Sequence, residues 1–171
     1  MSQGTLPQRR HPGKGRKRSR SAPRGRQVDA QSLTEIESLL AGERLHPERL
    51  IELLHRIQDE YHQIRERHLA ALAHVLRLSM AEVYEVATFY AHFDVVSDDT
   101  PAPEITVRVC ESLSCALVGG EQLLEEVRSR AGSLGIPVRV VGAPCMGRCE
   151  CAPVAEVGHR HVERADVDAI V

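Results

Sequence analysis

All five cysteines of this 171-residue chain stand between positions 110 and 151, as Cys110, Cys115, Cys145, Cys149 and Cys151, and the first 109 residues contain none. Cys110 and Cys115 are spaced C-x4-C and follow directly on Ile105-Thr106-Val107-Arg108-Val109; Cys145 and Cys149 are spaced C-x3-C and come shortly after Val138-Arg139-Val140-Val141. Both leading segments have the β-branched, alternating character of strands, and residues 122 to 130 between them read as a helix. Strand, helix, strand is a βαβ-type beginning. If the two strands are parallel, their cysteine-bearing loops leave the same end of one sheet, and four thiols can surround one metal centre.

Three chemistries compete for that convergence. A disulfide framework fits poorly, because the cysteine count is odd and no secretory segment precedes it. A structural zinc site ordinarily uses C-x2-C knuckles, whose short turn suits one small tetrahedral ion. The x4 and x3 loops are wider and suit a binuclear [2Fe–2S] centre, in which each iron takes two thiolates and bridging sulfides complete the tetrahedra. Gly119, Gly120, Gly142 and Gly147 lie beside or between these cysteines, where a chain wrapping a cluster needs positive φ or close backbone approach; ordinary turn chemistry is the simpler use of each one taken singly.

Ahead of the cysteines the periodicity is helical. Ser32 and Glu35 stand at the spacing of a capping box, with Ile36, Leu39 and Leu40 marking one buried face. Pro47 suits a first helical position, and Leu50, Leu53, Leu54, Ile57 and Tyr61 form an apolar stripe behind it. Leu69, Leu72, Val75 and Leu76 mark a third helix; Ser79 with Glu82 caps a fourth, which carries Val83, Val86, Ala87 and Tyr90. The expected organisation is a helical bundle over 29–97, a polar Pro-containing linker at 97–103, and an α/β unit over 104–171 that ends in a hairpin turning at Gly158 and a short helix from Asp166. The expected fold class is therefore α+β.

Composition narrows the function classes. With 27% charged residues the chain is too polar to be membrane-embedded, and no run approaches the roughly 18 apolar residues of a spanning helix. Two Phe, three Tyr and no Trp leave too few rings for a single-stranded nucleic-acid platform. The net charge of -2 hides an asymmetry: residues 1 to 27 carry nine of the 22 basic residues and none of the 24 acidic ones, so the remainder holds 13 bases against 24 acids. Residues 1–28 are expected to form a disordered basic arm, a solvated tail that adds little beyond association rate toward an acidic partner or nucleic acid. The arm has neither the apolar core of a signal peptide nor the apolar face of a mitochondrial presequence, so the expected location is cytoplasmic.

The segments Val109-Cys110-Glu-Ser-Leu-Ser-Cys115 and Pro144-Cys145-Met-Gly-Arg-Cys149-Glu-Cys-Ala-Pro153 resemble the C-x4-C…C-x3-C…A-P signature of the thioredoxin-like [2Fe–2S] ferredoxins. That family includes the 24-kDa-type (E) subunit of NADH dehydrogenase and the gamma subunit of NAD-dependent formate dehydrogenases. Leu53-Leu54-His-Arg-Ile-Gln58 and Met80-Ala-Glu-Val83-Tyr-Glu-Val-Ala-Thr-Phe89-Tyr90-Ala-His-Phe93 are similar to its L-x-x-I-Q and E-V-x-x-V-x-x-F-Y-x-x-F blocks.

The resemblance implies an N-terminal helical bundle followed by a thioredoxin-like α/β domain, with one [2Fe–2S] cluster held by Cys110, Cys115, Cys145 and Cys149. It implies a flavoprotein partner subunit that binds FMN and NAD(H), and no catalytic residue in this chain, which has no G-x-G-x-x-G and no P-loop. Cys151, so close to Cys149 that joint ligation of one iron is strained, is expected to be a non-ligand. Its place in a C-x-C-A-P run is nearer the formate dehydrogenase gamma branch, which would add a larger iron–sulfur and molybdenum or tungsten catalytic subunit. The E subunit of respiratory NADH dehydrogenase or of an NAD-reducing hydrogenase is the alternative, and a zinc-stabilised nucleic-acid-binding module is the alternative of another class.

Four other features carry expectations. The thioredoxin motif C-x2-C is absent, so dithiol exchange is not implied. His159 and His161 lie outside the cysteine loops, unlike Rieske ligands, and are expected to be exposed strand residues. Arg148 is either a counter-charge to a reduced cluster or a solvated loop residue. Phe89, Tyr90 and Phe93 gather three of the five aromatics, as a docking surface or as a plug between the two units.

Overall fold

The computed structural model describes residues 26–171. The expectation for the basic arm lies outside the described residues except for its last three positions.

Four helices come first: α1 (Ala30–Leu39), α2 (Leu50–Tyr61), α3 (Glu66–Leu76) and α4 (Met80–Phe89), with a 3-10 turn at Pro47–Arg49 leading into α2. The capping box of α4 is present in both directions: the Ser79 N–H donates to Glu82 Oε2 at 2.8 Å and the Glu82 N–H donates to Ser79 Oγ at 3.2 Å. The one expected for α1 is corrected. Asp29 caps that helix, accepting from the Ser32 N–H at 2.8 Å, which leaves Ser32 inside the first turn with a buried, unpartnered hydroxyl. Glu35 turns instead toward α3, where its carboxylate lies 3.3 Å from Arg67 and 3.4 Å from His68.

The stripe on α2 is buried as its spacing requires. Leu50, Leu53, Leu54 and Ile57 join Ile36, Leu40, Leu69, Leu72, Leu76, Val83, Ala87 and Phe93 in one continuous core, with Tyr61 at its margin. A parallel pair of two-residue strands, β1 (Ile64–Arg65) and β2 (Val95–Val96), ties the start of α3 to the exit of α4 in the register Ile64↔Val95. Two residues carry no readable alternation, which is why the sequence shows no sign of them.

The remaining strands are β3 (Ile105–Cys110), β4 (Val138–Ala143), β5 (Val154–Val157) and β6 (Arg160–Glu163), in the order β4-β3-β5-β6. The β3 and β4 strands are parallel, with Cys110 opposite Ala143, while β5 is antiparallel to β3 and to β6. Three helices complete the chain: α5 (Leu113–Ala116), α6 (Gly120–Ala131) and α7 (Val167–Ile170). The class is α+β, as expected. Among the described residues no helix is long and apolar enough to cross a membrane.

Alternation along β3 places the site. Val107 and Val109 pack on Leu123, Leu124 and Val127 of α6. Arg108 points the other way, only 6% exposed, and its Nη2 donates to the His92 carbonyl and to Asp94 Oδ2, each at 2.8 Å. Asp94 also accepts from Gln58 Nε2 at 3.0 Å and lies 3.3 Å from Arg139 Nη1. One carboxylate thus gathers α2, β3 and β4, and it fixes the bundle against the sheet face that ends at Cys110.

Candidate metal centre

Cys110 is the last residue of β3, and Cys115 lies in α5, the single helical turn that follows it. The Cys115 N–H donates to the Ser112 carbonyl at 2.9 Å, which folds the C-x4-C segment back on itself. Cys110 and Cys115 are each only 2% exposed, and both lie in one small buried cluster with Val154. Gly120 makes the fit possible, because a β-carbon there would stand 2.9 Å from the Cys115 carbonyl oxygen and 3.0 Å from that of Cys110. Val154, with Met146 and Ala152 at the margin, closes an apolar wall around this pair.

The second loop leaves the neighbouring end of β4. Gly147, at φ 77°, reverses the chain so that its N–H points at Cys145 Sγ from 3.4 Å, and Cys149 Sγ comes within 3.3 Å of Cys145 Sγ. Both of these cysteines are exposed. Ser114 of the first loop stands close enough to Cys149 to act on its thiol.

The thiol electrostatics follow from this arrangement. Burial, then the Cys110 hydrogen bond and the charges of Cys110 and Cys149, push the Cys115 thiol up. The Gly147 N–H, and after it the Cys149 hydrogen bond, pulls Cys145 down. Cys149 is pushed up, first by its bond to Cys145, while Ser114 pulls the other way. Cys115 and Cys149, each raised in part by neighbouring thiols, are donors whose ionisation a bound cation would relieve. The Cys151 thiol is pushed up by burial and then by Glu163.

Among the described residues no three His, Cys, Asp or Glu side chains are gathered for a single metal ion. The fold offers two thiol pairs, one buried and one at the surface, at adjoining strand ends. Two pairs of thiolates are the donor set of a two-iron centre, which takes two per iron.

Other residues singled out by sequence fall elsewhere. Arg148 forms an ion pair with Glu163 of β6, so its charge is already partnered. His159, at the hairpin turn, and His161 are exposed and face carboxylates, Asp59 at 3.2 Å and Glu156 at 3.6 Å. The aromatic group divides: Phe93 is in the bundle core, whereas Phe89 is 79% exposed and stacks edge-on against Tyr90 at 5.0 Å. Sequence reasoning missed Leu113 and Leu117, which stand exposed beside Cys115. Their i, i+4 spacing was the available signal, but on a one-turn helix it marks no buried face.

A family model described as thioredoxin-like [2Fe–2S] ferredoxin matches residues 36–171. The chain belongs to that family. Its cofactor is accordingly a [2Fe–2S] cluster, which displaces the zinc reading. Among similar proteins, the E 2 subunit of NADH-quinone oxidoreductase from Rhizobium meliloti (strain 1021) is 29% identical over 151 residues, covering 81% of this chain and 88% of that protein. NADH-quinone oxidoreductase subunit 2 of Thermus thermophilus is 30% identical over 132 residues, 71% of either chain. Among solved structures, the NAD+-reducing [NiFe]-hydrogenase in the air-oxidized state shares the fold, with a TM-score of 0.55 and 20% identity over 71% of this chain; this ferredoxin spans about a fifth of the hydrogenase chain, 21%.

Proposed function

We propose that this chain is an electron-transfer subunit of an NAD-linked oxidoreductase, and that Cys110, Cys115, Cys145 and Cys149 hold its single [2Fe–2S] cluster beside a flavoprotein subunit that binds FMN and NAD(H). The observation that carries this is the pair of thiol pairs, delivered to adjoining ends of parallel strands in a chain of this family. When bound, the cluster supplies storage for one electron at a time, which matches a flavin that takes a hydride and releases its electrons singly. The protein's own part is to hold and screen. Cys110 and Cys115 anchor the inner side, Val154 and Met146 exclude water from it, and the Gly147 N–H offers Cys145 a donor that favours its thiolate.

The test is metal and acid-labile sulfide analysis with visible and EPR spectra. We expect two irons per chain, total loss of the spectrum in Cys110→Ala or Cys145→Ala, and no loss in Cys151→Ala. An unchanged spectrum in Cys145→Ala would sink the ligand assignment.

A second reading concerns the complex. The C-E-C-A-P run containing Cys151 favours the gamma subunit of a formate dehydrogenase with its molybdenum or tungsten catalytic subunit. The named relatives favour the E subunit of NADH-quinone oxidoreductase instead. Affinity capture of the tagged, cluster-loaded chain from its own cells, with the co-purifying proteins sequenced, decides between them.

A further inference from the structure

Gly142, next to last on β4 and ahead of the second thiol pair, has an occupied space where its side chain would be. A β-carbon at 142 would collide with the carboxylate of Glu111, which therefore lies down across the β4 backbone. Glu111 immediately follows Cys110, and its N–H donates to the Ala143 carbonyl at 2.9 Å, so its backbone continues the β3–β4 ladder by one step. The carboxylate thus lies over the end of β4, beside the strand that ends at Cys110. It forms no hydrogen bond or ion pair among the described residues.

The charges around it are lopsided. The segment from Cys110 to Gly120 contains no Lys or Arg. In the second loop the lone cation is Arg148, which is tied to Glu163, and Glu150 adds another carboxylate beside Cys149. The one basic residue within the two cysteine loops is already partnered, while the acidic residue next to Cys110 is not.

We propose that Glu111 is a positioning residue for the redox property of the site: its unpaired carboxylate, seated over Gly142, holds the cluster's reduction potential down. This rests on the ligand assignment above. The physical basis is that reduction adds a negative charge to a centre already carrying four thiolates, and a fixed negative charge close by disfavours that addition. Gly142 is part of the device, because any side chain there would displace the carboxylate, which as the end of a flexible side chain can move away without unfolding the strand.

The experiment is a potentiometric titration of the cluster-loaded full chain, followed by visible absorption, for the wild type, Glu111→Gln, Glu111→Asp and Gly142→Ala at low and high salt. Glu111→Gln, isosteric and exposed, is expected to shift the midpoint upward, with the shift shrinking at high salt as the charge is screened. Glu111→Asp is expected to stay nearer the wild type than Glu111→Gln, and Gly142→Ala to move upward with the charge intact but displaced. An unshifted midpoint in Glu111→Gln at low salt overturns the proposal, as does a shift in Glu111→Asp as large as that of Glu111→Gln. An unshifted Gly142→Ala removes Gly142 from the device. If the wild type itself binds no two-iron centre, the failure belongs to the ligand assignment and shows in the metal analysis before any titration.

Discussion

The helical half and the sheet half are stabilised by different means. The bundle has one continuous aliphatic core, running from Ile36 on α1 through Leu53, Leu54 and Ile57 on α2 to Leu72 and Val83. The sheet half has a smaller core, chiefly Val107, Val109, Leu123, Leu124 and Val127, and the space at its strand ends is filled by Cys110, Cys115 and Val154. The bundle completes its interior from its own side chains. The sheet half puts thiols where further hydrophobic packing could have gone, and it leans on the bundle through a polar seam. The difference teaches that this protein gives its stability to one half and its chemistry to the other.

The seam is where that division breaks most readily. Asp94→Ala removes the carboxylate shared by Arg108 and Arg139 and leaves two mostly buried guanidinium groups without it, a loss of about 3–5 kcal/mol for a buried charge stripped of its partner. Thermal unfolding should then separate into two transitions, with the sheet half melting first. A single unshifted transition would show that the halves do not depend on this residue.

Truncation within the bundle sharpens the contrast. Leu54→Ala should cost about 2–5 kcal/mol, as for a fully buried leucine. Below its melting point the variant should keep the wild-type cluster spectrum, because Leu54 packs on no part of the thiol wall. Denaturant titration with parallel visible spectra measures both.

Acid acts on the bundle through His68. Burial, then the adjacent Arg67, lowers this imidazole to about 4 from 6.5, against the pull of Glu35. The unfolded chain therefore binds a proton that the folded one refuses, and stability falls as pH drops from about 6.5 toward 4, by at most about 1.4 kcal/mol per pH unit. Above that window His68 contributes no slope. His68→Gln should flatten this part of the stability profile, measured by urea unfolding at stepped pH.

The smallest effect is at the helix cap. Ser79→Ala removes an acceptor for the Glu82 N–H and should cost about 1 kcal/mol, read as a lowered denaturant midpoint with an unchanged slope.

Much of this was legible in the chain because it is local. The stripe on α2, the reciprocal cap of α4 and the alternation of β3 and β4 are periodicities within one element, and the cysteine spacings follow directly on two of them. Reading stopped where the deciding partner was distant. Ser32 and Glu35 have the spacing of a cap, yet Glu35 turns to Arg67 and His68 on α3, and the helix start is left to Asp29. Phe89 and Phe93 look alike along the chain, but one is exposed and the other is core, since only the packing of α2 against α4 and the segment after it tells them apart.

The sequence by itself determined the four bundle helices, the order β3, α6, β4 and the closing hairpin, and the two cysteine loops, all of which depend on neighbours a few residues away. Only the tertiary structure decided which thiols are buried, that Arg148 is tied to Glu163, that Asp94 joins the two halves, and that Glu111 lies over Gly142. Each of these sets a charge or a thiol against a group from another element. Periodicity tells a side chain which way to face, but not what it will meet there, because burial and electrostatic partners are fixed by contacts between segments far apart along the chain.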